Sequence, residues 1–225
     1  MEKEKDAVAD IKKKAVQIIL FFVLGVFSGF MAKYLDIVPA DGIIGNLANI
    51  VGNIFSEIGI WIFIATIIAA WSRTPMAGAI HVFVYFVGML ISYYIFSIKI
   101  FNFFPIHYFI GWGLVAIASL PFSYIVWFSR KEGWVASLSA ALPIGILASE
   151  GYSFLYTFSP YSGFNLFAAI ILFFILPKNK SQYIKVFIFA MLISVLLSKS
   201  YLLSYIMGFL FRLVNFSNLK LDYIR

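Results

Sequence analysis

The run AVQIILFFVLGVFSGFMAKYL, residues 15–35, contains one charged side chain, Lys33, and follows directly on Lys12, Lys13 and Lys14. A bilayer core about 30 Å thick is crossed by a helix of ~20 predominantly apolar residues, so this run has the length of a span. Similar runs recur at 58–71, 77–96, 108–128, 134–158 and 164–176. The stretch 183–216 is too long for one ordinary helix, and Ser198, Lys199 and Ser200 divide it into two short spans.

Composition agrees. The 225 residues are 63% hydrophobic and 12% charged, with a mean hydropathy of +0.97, where soluble domains are about half apolar and a quarter charged. In hydrocarbon the backbone must satisfy its own hydrogen bonds, which leaves helices or closed barrels, and continuous apolar runs select helices. The expected fold is all-α, a polytopic transmembrane helix bundle of about eight spans forming one domain over residues 1–225. Six or seven spans with a re-entrant or interfacial segment are the alternatives, because the sixth and seventh are short. No internal repeat is evident.

Basic residues set the orientation. Of the 17 Lys and Arg, all but Lys33, Lys99 and Lys199 fall on one side of this topology, which the positive-inside rule makes cytoplasmic. Residues 1–14 are then a cytoplasmic N-terminal segment and 217–225 a cytoplasmic tail. No small-residue cleavage site follows the first run, which reads as a retained helix and not a signal peptide. The connection 43–58 repeats apolar residues at helical spacing, with Asn46, Asn49 and Asn53 opposite Leu47, Ile50 and Ile54, and is expected to be an amphipathic helix on the outer side.

Several chemistries are excluded. Cysteine is absent, so there is no disulfide, thiolate metal site or Cys nucleophile. His81 and His107 begin different spans near opposite surfaces, neither has a second ligand at helical spacing, and no metal or other cofactor is expected. No zinc-helix or phosphate-loop motif occurs, and no catalytic set can be assembled. The basic residues stand singly or in pairs between apolar runs, as topology signals do, which argues against nucleic acid.

Ionisable groups inside spans are costly and are functional candidates for that reason. Glu150 lies deep in the fifth span, and Lys33 is its expected partner. Gly25, Gly29 and Lys33 succeed one another at four-residue spacing, so the small-residue face that admits a neighbouring helix also aims Lys33 into that contact. Gly145 belongs to a second small-residue stripe with Ser137, Ala141 and Ser149. Tyr93, Tyr94, Trp112 and Tyr152 come at the same level. They form either an interfacial aromatic belt or the walls of a small outward-facing pocket with Glu150 and Lys33 as its floor.

The order Trp61, Trp71-Ser72-Arg73-Thr74-Pro75, Ala77-Gly78, Tyr93-Tyr94, with Leu142-Pro143 and Ala148-Ser149-Glu150-Gly151-Tyr152 further on, resembles small bacterial integral membrane proteins grouped as a domain of unknown function. The resemblance runs from the first span to the sixth. It implies a bacterial plasma-membrane protein with the Glu of the Glu-Gly-Tyr element as a recurring feature, and no assigned activity. The functional expectation is a small-solute transporter or membrane-embedded solute-binding subunit. The alternative is a non-catalytic accessory or scaffold protein that binds other membrane proteins through the Gly25 and Gly29 face.

Overall fold

The structure, a computed structural model, describes residues 2–39, 41–102, 104 and 106–200. Among these it is helical without a strand: α1 (Glu2–Leu35), α2 (Gly42–Ser56), α3 (Ile58–Ala70), α4 (Pro75–Phe101), α5 (Ile106–Val126), α6 (Trp134–Gly151), α7 (Phe154–Thr157), α8 (Pro160–Ile175) and α9 (Lys180–Ser200). A 3₁₀ turn, Trp127–Arg130, continues α5.

The helix ends follow from their sequence. Thr74 caps α4, its hydroxyl accepting from the Ala77 N–H at 3.1 Å, and Pro75 stands where a missing N–H does no harm. Asn102, in the left-handed region at φ 52°, closes the same helix. Gly133, at φ 90°, turns the chain into α6, a conformation that only glycine adopts without strain.

Five helices are long and apolar enough to cross a membrane: α1 from Ala9, α4, α5 with its 3₁₀ turn, α6 with α7, and α9. The expected count of about eight needs adjustment at two places. α3 has only 13 residues and α2 precedes it at an angle of 68°, so the two form one broken or re-entrant span. α8, with 16 residues, is apolar but shorter than the five helices long enough to cross. The eighth span and the tail lie outside the described residues, and α9 continues as helix through Ser198 and Lys199.

Packing reveals an order that the sequence hides. Phe21 lies on His81, a Cβ on Gly25 would strike the Tyr85 carbonyl, and Gly29 faces Met89 and Ser92, so α1 and α4 run parallel. In the same way Trp134 touches Phe189 and Gly145 faces Ala190 and Ile193, so α6 and α9 run parallel. Each pair is accompanied by one short antiparallel helix entered through a break, α3 after α2 and α8 after α7. The chain therefore holds two helix triplets, α1–α3–α4 and α6–α8–α9, joined by α5, and they are packed differently: α3 lies against α4, the last helix of its triplet, whereas α8 lies against α6, the first of its own.

The basic connections gather at one end. Arg130 lies over Trp71 at 4.1 Å, Lys131 over Trp127 at 4.1 Å and Lys185 over Trp134 at 4.6 Å. Trp127 Nε1 donates to the Ser72 carbonyl at 2.8 Å, and Gln182 Nε2 to the Lys131 carbonyl at 2.8 Å, tying the three connections together. Lys33, Asp36, Glu57, Lys99 and Glu150 stand at the other end of the same helices.

The connection 43–58 is helical up to Ser56, as its periodicity predicts, and Asn46, Asn49 and Asn53 are exposed. Its buried stripe, however, is Gly45 and Gly52, with Leu35 meeting Gly52, while Leu47, Ile50 and Val51 remain exposed. Only small residues allow α2 to lie so close to the bundle, so its first turns leave Ile43, Ile44, Leu47, Ile50 and Val51 facing outward, while Ile54 and Phe55 at its end pack against the core.

Candidate functional site

At the end opposite the basic connections, α1, α3, α4 and α5 enclose a cavity of about 200 Å³. Its walls are aromatic: Trp61 from α3, Tyr93 and Tyr94 from α4, Tyr108 and Trp112 from α5, with Phe55 beside them and Asp36 at its edge. Tyr94 is almost fully buried and meets Phe109 edge-on at 5.0 Å between centroids. Trp61 donates its indole N–H to the Phe55 carbonyl at 3.1 Å, which anchors the α2–α3 break against the cavity.

The polar side of the cavity is a three-membered cluster. Lys33 Nζ donates to Asp36 Oδ2 at 3.2 Å, and Tyr93 Oη donates to the same oxygen at 3.2 Å. Lys33 also lies 4.9 Å from the centroid of the Tyr93 ring and 3.5 Å from its hydroxyl. The Lys33 and Asp36 side chains are 13% and 29% exposed, so their attraction is less screened than that of a surface pair.

The structure brings together Tyr93, Tyr94, Trp112 and Lys33 from the expected set and leaves Glu150 and Tyr152 apart. Lys33 is paired with Asp36 and not with Glu150. The reason is the helix that the Gly25 and Gly29 face receives: it is α4, which presents Tyr93, whereas Glu150 is on α6 in the other triplet. The half-buried Glu150 carboxylate has no hydrogen-bond or ion-pair partner among the described residues, and Glu57 is the charged group whose field reaches it. Tyr152 is 47% exposed and meets Tyr156 at a tilt, 5.9 Å between ring centroids.

Residues that sequence reading missed are Asp36, Trp61 and Tyr108. Asp36 follows Lys33 by three positions, a helical ion-pair spacing that was available as a signal. Nothing in the sequence joins Trp61 and Tyr108 to the site.

A double-mutant cycle separates the two pairings. Lys33→Met and Asp36→Asn are expected to couple by on the order of 1 kcal/mol in thermal unfolding, whereas Lys33→Met and Glu150→Gln add independently. Coupling of the second pair and additivity of the first would restore Glu150 as the partner.

Trp61 also lines a second cavity, of about 230 Å³, between α3, α4, α5 and α6. This space is nearly all apolar, with Thr66, Ser119 and Ser123 as its hydroxyls, and Pro143 of α6 closes the far side. It lies where the two triplets and α5 meet. The Gly25 and Gly29 face is fully used inside the chain, so it offers no groove to another protein.

A family model described as a family of unknown function, DUF6518, matches residues 8–206. No curated protein and no solved structure matches the chain.

Proposed function

The chain belongs to the family of unknown function DUF6518, and we propose that this member is a multi-pass protein of the bacterial plasma membrane that binds a small organic cation from outside and moves it inward. The basic end is the cytoplasmic one under the positive-inside rule, which places the N-terminus in the cytoplasm and the aromatic cavity at the outer surface.

The observation that carries this reading is the aromatic cavity with Asp36 at its edge. Aromatic faces carry negative potential and attract ammonium groups, most strongly where water is excluded. Lys33, resting on the Tyr93 ring and on Asp36, is a tethered ammonium that already uses this environment. An incoming cation takes the same faces in competition with Lys33, displacing its ammonium from the Asp36 carboxylate.

Movement, as opposed to binding alone, is supported by the second cavity beyond Trp61, which continues the space between α3, α4, α5 and α6 toward the basic end. A scaffold role has less support, because the small-residue face on which it rested packs against α4.

The test is titration of the detergent-purified protein with tetramethylammonium and with choline, followed by calorimetry, then uptake of labelled choline by proteoliposomes. Saturable binding is expected for both. Absence of binding by either probe removes the cation reading, and binding without uptake reduces the proposal to a binding subunit.

Orientation has its own test, made simple by the absence of native cysteine. Single cysteines at Arg73, Arg130 and Lys178 are expected to resist an impermeant thiol reagent applied to intact cells. Labelling of two or more of them would reverse the topology.

A further inference from the structure

At the basic end, away from the aromatic cavity, α1, α3 and the start of α4 enclose a third cavity of about 420 Å³. Its polar lining is Gln17, Ser72, Arg73 and His81, and its apolar wall comes from α1 and α3, with Leu24 and Ile64 among its residues. Among the described residues no acidic side chain lines it. Asp10, whose field reaches Arg73, is held by Lys14 at 2.7 Å.

The hydrogen bonds fix what His81 presents. Ser72 Oγ donates its one proton to the Ile68 carbonyl at 2.7 Å and lies 3.0 Å from His81 Nδ1. The hydroxyl must therefore accept from the ring, so Nδ1 carries a proton. Nε2 is left without a partner among the described residues, on a side chain only 6% exposed that lines the cavity. Phe21, 4.6 Å from the ring centroid, holds the imidazole in place from the other side.

We propose that this cavity binds the phosphate-bearing headgroup of an anionic membrane lipid. The Arg73 guanidinium offers a planar fork of donors suited to phosphate oxygens, the Gln17 amide N–H donates beside it, and His81, whose bare Nε2 can only accept, takes a hydroxyl of a glycerol headgroup. The acyl chains lie along the apolar wall, beside Leu20, Leu24 and Phe27 of α1, which are exposed. The Trp71, Trp127 and Trp134 rings stacked under Arg130, Lys131 and Lys185 put the cavity at headgroup depth, where such a lipid reaches it without leaving its leaflet. A free phosphate needs the polar end alone and makes no use of the wall.

The experiment titrates the full chain in a neutral maltoside with dioctanoylphosphatidylglycerol, dioctanoylglycerol and inorganic phosphate. The phosphatidylglycerol is expected to bind saturably, and Arg73→Gln to weaken it by about tenfold, as expected for loss of a charge-assisted contact, while Lys185→Gln changes it by less than about twofold. Leu24→Trp, which fills the apolar wall, weakens the lipid as well. Wild-type elution and unfolding temperature of each variant separate lost binding from lost fold. Equal losses in Arg73→Gln and Lys185→Gln would mean diffuse surface attraction and overturn the site. Competition by inorganic phosphate at equal concentration, or equally tight binding of dioctanoylglycerol, overturns the headgroup assignment.

Discussion

Gly25→Ala and Gly29→Ala are each expected to lower the unfolding temperature in detergent by roughly 5–10 °C, the scale of a ~2–3 kcal/mol overpacking penalty in a chain of this size. A single methyl has this effect because of what it meets. On Gly25 the added Cβ falls on the backbone carbonyl of Tyr85, and on Gly29 on that of Met89 and the Ser92 hydroxyl. Backbone inside a packed helix has no rotamer to change, so α1 must move away from α4 as a body. The opposing helix is built alike: a Cβ on Gly88 would strike the Phe22 carbonyl. Within lipid no hydrophobic force draws helices together, and close backbone approach is a main source of their attraction. Separation therefore removes much of what holds the first triplet. Gly113→Ala is the control, since nothing lies within 4 Å of its added Cβ, and helix propensity there favours alanine by up to ~1 kcal/mol. Circular dichroism melts of the three variants decide the matter. If Gly25→Ala and Gly113→Ala melt alike, the parallel α1–α4 contact is not the stabilising one.

The same glycines show how far the sequence could be read. Their four-residue spacing with Lys33 announces a close helix contact and correctly directs Lys33 into it. Spacing on one helix says nothing about which other helix arrives, and depth alone made Glu150 look suitable. α4 arrives instead, bringing Tyr93, and the charge for Lys33 comes from Asp36 one turn further on the same strand of sequence. Apolar runs marked the helices well because lipid imposes a length and a composition on each span. The break between α2 and α3 was harder to read: Glu57 is extended, at φ −100° and ψ 156°, and neither proline nor glycine marks it. The grouping of the helices was hidden for a related reason, since an apolar run shows that a helix forms and not which other helix it packs against.

Asp36→Asn is expected to weaken tetramethylammonium binding by about tenfold or more, and Glu150→Gln to leave it unchanged within about twofold. The contrast follows from position. Asp36 lines the aromatic cavity, whereas Glu150 lies on α6 and lines neither that cavity nor the one beyond Trp61. Loss of the Asp36 charge acts twice, removing the counter-charge for the ligand and releasing Lys33, whose ammonium then repels the incoming cation. Lys33→Met separates these effects. With Asp36 retained and the tethered ammonium gone, the carboxylate is free to serve the ligand, and affinity is expected to rise above that of the unaltered chain. Trp112→Leu and Tyr94→Leu remove one aromatic face each, a loss of roughly 1–2 kcal/mol or about 5- to 30-fold in affinity. Trp61, at the boundary between the two cavities, is expected to act differently: Trp61→Phe keeps an aromatic wall for binding but removes the indole N–H that donates to the Phe55 carbonyl at 3.1 Å. Choline uptake into proteoliposomes should then change more than choline binding does. Calorimetry and uptake on this one set of variants test the site residue by residue. A Glu150→Gln variant that loses binding while Asp36→Asn retains it would place the site on α6 and end the proposal for the aromatic cavity.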